Sequence, residues 1–144
     1  MRFIALVKAD ERSEAGQMPT EQELAAMSAF NEELVKAGVM LAGEGLHPSS
    51  RGSRIVHTPE KTSVIDGPFA ETKELVAGFW VLQAKSYEEA LEWLKRAPRP
   101  AQGEFVIELR QIFEPEDFGE AFTPELRERE ARIREQAERQ AKND

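Results

Sequence analysis

The chain has 144 residues, of which 27 are acidic and 19 are basic, so its formal net charge at pH 7 is −8. This charge repels phosphate backbones and argues against a broad basic face that binds nucleic acid. The chain contains no cysteine, which excludes disulfide bonds, thiolate catalysis, and zinc ribbons or iron–sulfur clusters built on cysteine.

The charge is unevenly distributed along the chain. Residues 123–144 contain six basic and six acidic side chains, so the whole net charge lies in residues 1–122. This change of composition predicts a globular domain over 1–122 and a charged helical extension over 123–144. No apolar run approaches the roughly 20 residues of a membrane span, and the apolar start of the chain is too short for a signal peptide. We therefore expect a cytoplasmic protein that does not associate with membranes.

The first half of the chain predicts strands around one long helix. Thr20 and Glu23 form a capping-box signal for the start of this helix, and Gly38 is a plausible C-cap. Two glycines, Gly43 and Gly45, interrupt the apolar strand that follows. In chain order, the patterns predict a strand over 2–7, a polar loop over 9–19, a helix from 20 to 37, a strand over 39–46, and hairpin strands over 53–57 and 62–65.

The second half predicts a strand, a helix and a strand, followed by a last helix. Ser86 and Glu89 form another capping box, and Pro98 and Pro100 end the helix that this box starts. In chain order, the predicted elements are a strand over 75–84, a helix after 86, a half-buried strand over 104–113, an acidic connector over 114–122, and a helix that starts at 123 with proline at its first position.

Without the hairpin, this order is βαββαβ, the split arrangement of ferredoxin-like α+β domains. Such a sheet carries helices on one face only, so its other face has to be covered. We therefore predict an α+β fold with a ferredoxin-like core, an inserted hairpin and a C-terminal helix. A homodimer formed through the open face of the sheet is the simplest way to cover that face.

Three stretches of the sequence resemble the YCII-related, DGPF-type proteins. They are residues 39–46, which end in Gly-Glu-Gly-Leu, the nine-residue motif over 66–74 (Asp-Gly-Pro-Phe-Ala-Glu-Thr-Lys-Glu) and residues 78–80 (Gly-Phe-Trp). Residues 116–120 are similar to members with a C-terminal extension. The resemblance implies a dimeric α/β barrel built from two ferredoxin-like protomers, without an established reaction. Some members look to be encoded beside extracytoplasmic-function sigma factors, so a sigma factor is a candidate partner.

A related branch of smaller YCII proteins includes a dehydrochlorinase with a His–Asp pair proposed as catalytic. The resemblance places this His in the first helix. Alignment of the helix ends on Gly38 puts Met27 or a close neighbour at that position, and this helix contains no histidine. The chemistry of the smaller branch is therefore not carried over to this chain.

The predicted catalytic residues are Glu44, Asp66 and His47. Asp66 either caps its own turn or acts as a general base or ligand contact at a strand end. Glu44 is either solvent-facing or buried with a partner, and burial would raise its pKa into a range that suits acid–base catalysis. His47 lies just past Glu44, so the three could form an acid–base set or, more weakly, a divalent-metal site if their strands adjoin. The histidine spacing matches no zinc motif, and we predict neither a metal nor a cofactor.

The predicted ligand-binding residues are Phe69, Glu71 and Lys73. Phe69 alternatively packs into the core, and Glu71, Lys73 and Glu74 alternatively form a solvated loop. The expected pocket lies between the sheet and the hairpin and binds a small molecule that the sequence does not identify. If the protein is an enzyme, proton transfer or elimination fits these residues best.

The last helix supports a second hypothesis. Its apolar residues form only a narrow stripe of Leu126, Ile133, Ala137 and Ala141, between pairs of glutamate and arginine at helical spacing. It is either a solvated helix or an arm that binds a partner, across the dimer or on a sigma factor. The alternative function is therefore a non-catalytic regulatory or interaction protein that acts through this helix.

Overall fold

The computed structural model describes residues 1–143, and the chain divides into two compact units, Met1–Ile112 and Phe113–Asp144. The predicted boundary after residue 122 lies further along the chain than this division. No helix in the described part of the chain combines the length and the apolar character that crossing a membrane requires.

The secondary structure is a mixture of six strands and four α-helices within residues 1–143, and every predicted strand and helix is present close to its expected bounds. The strands are β1 (Arg2–Lys8), β2 (Met40–Gly45), β3 (Ser53–His57), β4 (Thr62–Asp66), β5 (Val76–Gln83) and β6 (Ile107–Gln111). The helices are α1 (Glu11–Glu14), α2 (Glu21–Lys36), α3 (Tyr87–Leu94) and α4 (Pro124–Lys142). The mixed α+β class and the C-terminal helix are therefore confirmed.

The helix α1 lies in the segment that the sequence predicts as a polar loop. Asp10 Oδ1 accepts a hydrogen bond from the Ser13 backbone N–H at 2.8 Å, and Ser13 Oγ accepts one from the Asp10 backbone N–H at 2.9 Å. This reciprocal capping stabilises a single turn. None of the four helical residues is buried, so no apolar periodicity marked the turn in the sequence.

In both predicted capping boxes, the side chain of the first residue caps the start of the helix. Thr20 Oγ1 accepts a hydrogen bond from the Glu23 backbone N–H at 3.2 Å, and Ser86 Oγ accepts one from the Glu89 backbone N–H at 3.1 Å. At the end of α2, Gly38 has a φ of +72°, a left-handed conformation in which glycine is favoured. The sequence therefore located the ends of α2 and the start of α3 from local backbone chemistry.

The main sheet has the strand order β2-β5-β1-β6, and each neighbouring pair is antiparallel. The strands β3 and β4 form a separate two-stranded sheet. The hydrophobic core includes Phe30 and Leu34 of α2, Leu94 of α3 and, from the sheet, Ala5 and Trp80. The core therefore lies between one face of the main sheet and the two helices.

Gly43 makes room for the indole that anchors this core. Trp80 lies opposite Gly43 in the sheet, and a Cβ on Gly43 would be 2.9 Å from Trp80 Cδ1. The indole N–H donates to Asn31 Oδ1 at 2.9 Å, and the Phe30 ring lies edge-on to the indole at 5.7 Å. Gly43, next to Glu44 in the sequence, is thus needed for packing on the core face of β2, whereas Glu44 points to the other face.

The other face of the main sheet is apolar at its centre and charged at its edges. Cross-strand partners share a face of a sheet, so strand register defines two rows of side chains on this side. The first row is Glu44, Phe79, Leu6 and Glu108, and the second row is Ala42, Val81, Ile4 and Arg110. The four large apolar side chains in these rows are only half-buried in the single chain. We call this surface the open face.

Candidate functional site

The nine-residue motif of the sequence, residues 66–74, begins at the end of β4 and forms a loop that is held against a turn at Ser49–Arg51. We call residues 66–74 the motif loop. The Gly67 backbone N–H donates to the Gly52 carbonyl oxygen at 2.9 Å, and the Phe69 backbone N–H donates to Ser49 Oγ at 3.1 Å. The Gly67–Pro68 peptide bond is cis. Two backbone amides of the motif loop are thus fixed by the turn.

Gly67 is the closest point of this contact. A Cβ built on Gly67 would lie 1.8 Å from the Ser49 carbonyl oxygen, a distance that no real side chain tolerates. The obstacle is a backbone atom, so it cannot move aside as the end of a flexible side chain could. The motif requires glycine at this position because the two segments of backbone touch there.

Ser49 connects the motif loop to α1. Ser49 Oγ donates to Glu14 Oε2 at 2.5 Å, and the Ser49 backbone N–H donates to Glu14 Oε1 at 3.1 Å. The hydroxyl therefore donates to Glu14 while it accepts from Phe69, which uses both of its hydrogen-bonding roles. Sequence reasoning missed Glu14 and Ser49, because the contact joins residues 35 positions apart without a periodic pattern.

The Phe69 ring contacts the guanidinium group of Arg54. The Arg54 guanidinium carbon lies 3.9 Å from the centre of the Phe69 ring, which is a cation–π contact. Phe69 is half-buried and does not belong to the buried core, so the alternative in which it packs into the core is not what the structure shows. Sequence reasoning also missed Arg54. The hairpin register could have indicated it, since Arg54 pairs with Ile65, just before the motif loop.

Two carboxyl groups of the motif loop interact directly. The Glu71 side chain is hydrogen-bonded to the Glu74 side chain, and this bond together with the negative charge of Glu74 raises the pKa of Glu71 above its ordinary value of 4.5. Desolvation adds to the increase, and the nearby positive charge of Arg54 acts in the opposite direction. Two carboxyl groups of the motif loop and the Arg54 guanidinium of β3 are therefore close enough to act on one another.

Asp66 is the last residue of β4 and lies at the open end of the β3–β4 hairpin, not inside a cleft. Its Oδ1 atom accepts a hydrogen bond from Ser53 Oγ at 3.0 Å, and the two residues are opposite each other in the β3–β4 pairing. The side chain is exposed. This bond across the strand ends helps to close the hairpin at the point where the motif loop begins.

Glu44 and His47 have separate surroundings. Glu44 is exposed on the open face beside Phe79, so in the single chain the solvent-facing alternative applies. The His47 ring lies against Arg51 Nη1, which is 3.0 Å from Nδ1 and 3.0 Å from Nε2. Within residues 1–143, no hydrogen bond or ion pair joins Glu44, His47 and Asp66, and no three His, Asp or Glu side chains are grouped so that they could hold a metal ion.

Lys73 lies in the turn Thr72–Glu74 and is exposed. In the part of the chain that the structure describes, it makes no hydrogen bond or ion pair with another residue. Its charge is therefore available to solvent or to a ligand at this side of the motif loop.

A cavity of about 280 Å³ lies elsewhere in the first unit. It is lined by residues of α3, β6 and their connection, among them Leu91, Leu94, Phe105 and Ile107. None of the predicted site residues contributes to its lining.

The part of the chain that contains the main sheet and the motif loop matches a known protein family. The family model described as the YCII-related domain matches residues 1–115. The chain belongs to the YCII-related family. The resemblance seen in the sequence is thereby confirmed. An uncharacterized protein of Rhizobium meliloti (strain 1021) is 30% identical to this YCII-related chain over 97 residues, which are 66% of this chain and 78% of the relative.

A solved structure similar to this YCII-related domain is 5-chloro-2-hydroxyhydroquinone dehydrochlorinase from Burkholderia phenoliruptrix AC1100, in complex with 2,5-dihydroxybenzoquinone. The sequences are 17% identical, the TM-score is 0.43, and the match covers 79% of this chain and 95% of that chain. A likeness at this level does not transfer the enzyme's activity or its ligand to this YCII-related domain.

The contact at Gly67 predicts the effect of adding one methyl group. Gly67→Ala is expected to displace the motif loop and to lower the free energy of unfolding by about 1–3 kcal/mol, as overpacking usually does. Because the motif loop is displaced, the backbone amides of residue 67 and Phe69 should exchange their hydrogens faster than in the wild type. Gly45→Ala is the matched control, because a Cβ on Gly45 meets nothing within 4 Å. Equal stability and equal exchange in the two variants would contradict the close contact.

Proposed function

We propose that this YCII-related protein is a homodimer that binds a small anionic organic molecule at the motif loop and uses the Glu71–Glu74 pair to transfer a proton. The observation that carries the proposal is the grouping of charged side chains at the motif loop: Arg54 rests on the Phe69 ring at 3.9 Å, and Glu74 raises the pKa of the neighbouring Glu71. The substrate class follows from the neighbouring guanidinium of Arg54.

A pair of carboxyl groups that shares a proton provides both members of an acid–base couple. The protonated partner can donate to a developing negative charge, while the ionised partner can accept a proton. This arrangement needs no cysteine and no histidine.

The coupling also has a consequence for stability. Because the folded chain holds a proton on Glu71 at pH values where an unfolded glutamate has lost it, the folded state binds more protons than the unfolded state. Stability therefore falls as the pH rises from 4.5 through the raised pKa of Glu71. The pair therefore does not stabilise the fold above this pH, and the role proposed for it is in binding or chemistry.

Arg54 supports recognition of an anion. Its guanidinium rests on the Phe69 ring at 3.9 Å, which restricts its position, and a planar guanidinium can bind a carboxylate or sulfonate through two parallel hydrogen bonds. An anion bound there would also be close to Glu71, whose charge Arg54 already influences. Protonation of Glu71 would remove a repulsive charge and strengthen anion binding. Lys73, in the adjacent turn, would add positive charge at the mouth of the site.

The dimer is proposed through the open face. The order β2-β5-β1-β6 agrees with a ferredoxin-like sheet, and two such sheets packed face to face would form a dimeric α/β barrel. The half-buried centre of the open face, with Leu6, Phe79, Ile4 and Val81, supports this packing. Glu44 would then lie between the two sheets. In that assembly Glu44 is a second acid–base group inside the barrel.

The binding proposal is tested with benzenesulfonate, an aromatic anion that keeps its charge at every pH used. Its affinity should increase as the pH falls through the pKa of Glu71, and Glu71→Gln should abolish that increase. Arg54→Gln should weaken binding by about tenfold or more, as expected for loss of a charged hydrogen bond. Binding is followed by NMR shifts of Phe69.

The control for this experiment is Arg51→Gln, which removes a guanidinium from the neighbouring turn and leaves Arg54 in place. This variant should bind benzenesulfonate like the wild type. If Arg54→Gln binds as tightly as the wild type, or if Glu71→Gln keeps the pH dependence, the proposed site is wrong.

The dimer is tested by a charge on the open face. Phe79→Glu should raise the dimer dissociation constant by about 100-fold or more, since a buried unpaired charge costs several kcal/mol and each ~1.4 kcal/mol is a factor of ten. Val64→Glu, at an exposed position of the hairpin, should leave the dimer intact. Sedimentation velocity measures both, and circular dichroism checks that the variants fold. A wild-type chain that sediments as a monomer at high concentration would exclude the dimer.

A further inference from the structure

The second unit, Phe113–Asp144, turns back on itself before α4 begins. The Glu114 backbone N–H donates to Asp117 Oδ2 at 2.8 Å, which fixes the 3-10 turn Pro115–Phe118. Gly119 then adopts a φ of +73°, and the Phe122 backbone N–H donates to the Gly119 carbonyl oxygen at 3.2 Å. This local backbone structure places the aromatic segment beside the first turns of α4.

Three aromatic rings form a continuous wall in this unit. The ring centres of Phe113 and Phe118 are 5.0 Å apart, and those of Phe118 and Phe122 are 5.4 Å apart. Although Phe118 contacts both neighbours, it remains 53% exposed. Two of the three rings, Phe118 and Phe122, line a cavity of about 470 Å³, whose other apolar lining residues are Pro115, Ala121 and Ala131. An aromatic surface of this kind is therefore open to a ligand.

The remaining lining residues give the cavity an excess of positive charge. They are Arg127, Glu130 and Arg134, which lie three and four positions apart on one side of α4. Arg127 is fixed, because its Nε donates to the Phe122 carbonyl oxygen at 3.0 Å and its guanidinium lies 5.2 Å from the Phe122 ring centre. In residues 1–143, Glu130 forms no ion pair with either arginine, and Arg134 has no partner.

Two other arginines of α4 are paired with glutamates, whereas Arg129, which lies outside the cavity lining, resembles Arg134 in forming no ion pair within residues 1–143. Arg132 is 3.6 Å from Glu128, and Arg139 is 2.7 Å from Glu135. These pairs occupy the exposed surface of the helix, where such contacts contribute little to stability. The Arg134 guanidinium borders the aromatic cavity and, among the residues that the structure describes, forms no ion pair with the acidic side chains of its own helix. It is therefore available to bind an external anion.

We propose that this cavity binds a small aromatic anion, with its ring against Phe118 and Phe122 and its anionic group on Arg134. The volume is within the range of roughly 300–1,000 Å³ that is typical of small-molecule sites. Phenylalanine rings pack against a flat aromatic ring, and the guanidinium binds a carboxylate or sulfonate in two-point fashion. The site lies wholly within the second unit, so it does not depend on the function proposed for the motif loop.

The experiment uses two probes of the same shape, naphthalenesulfonate and the uncharged naphthylmethanol, with the full-length chain. Binding is measured at the site itself, from the NMR shifts of the Ala131 methyl group and the Phe118 ring. Arg134→Gln should weaken naphthalenesulfonate binding by about tenfold or more and leave naphthylmethanol unchanged, because only the anion uses the guanidinium. Phe118→Ala should weaken both probes.

Arg129→Gln is the matched control, since it removes the same charge from α4 at a position outside the cavity lining. It should not change binding of either probe. The proposal is overturned if Ala131 and Phe118 do not respond to naphthalenesulfonate, if Arg134→Gln and Arg129→Gln have equal effects, or if both probes bind equally well to the wild type. It is also overturned if a second copy of the chain covers the Phe118 ring in solution, seen as concentration-dependent shifts of that ring without any probe.

Discussion

The hydrogen bonds of Ser49 Oγ fix the geometry on which the candidate site depends. The hydroxyl donates to Glu14 and accepts from the Phe69 amide, so the position of Phe69 is set by a carboxylate in a different part of the chain. Phe69 in turn supports Arg54, and Arg54 acts on the pKa of Glu71. Each of these contacts constrains the next, which explains why the motif loop combines glycine, an aromatic ring and two glutamates within a few positions.

The same chain of contacts separates the structural residues of the motif from the chemical ones. Gly67 is required by the approach of the Ser49 carbonyl oxygen, and Asp66 closes the hairpin through Ser53. The carboxyl groups of Glu71 and Glu74 have no comparable packing role, and their mutual repulsion reduces stability at neutral pH. The residues of the motif loop to which we assign binding or chemistry are therefore those of its second half, residues 71–74.

The sequence was informative where structure is determined locally. Capping by Thr20 and Ser86, apolar periodicity and the hairpin turn predicted the order of elements, because each depends on residues close together in the chain. The missed helix α1 has no buried residue and hence no pattern. At the site, Glu71 and Phe69 were predicted, whereas Arg54 contacts Phe69 and Glu14 contacts Ser49 through tertiary structure. The contact of Glu14 has no signal in the spacing of residues along the chain. The three predicted catalytic residues are not joined to one another in the single chain, and a role for Glu44 depends on the proposed dimer.

A carbon-detected NMR titration of the Glu71 side-chain carboxyl group tests the claim that Glu74 raises the pKa of Glu71. Glu71 should titrate above 4.5 in the wild type, and Glu74→Gln should lower its pKa toward 4.5, because the hydrogen bond and the negative charge of Glu74 are removed while desolvation and Arg54 continue to act in opposite directions. A Glu71 that titrates at 4.5 in the wild type, or whose pKa is the same in the two proteins, would contradict the claim.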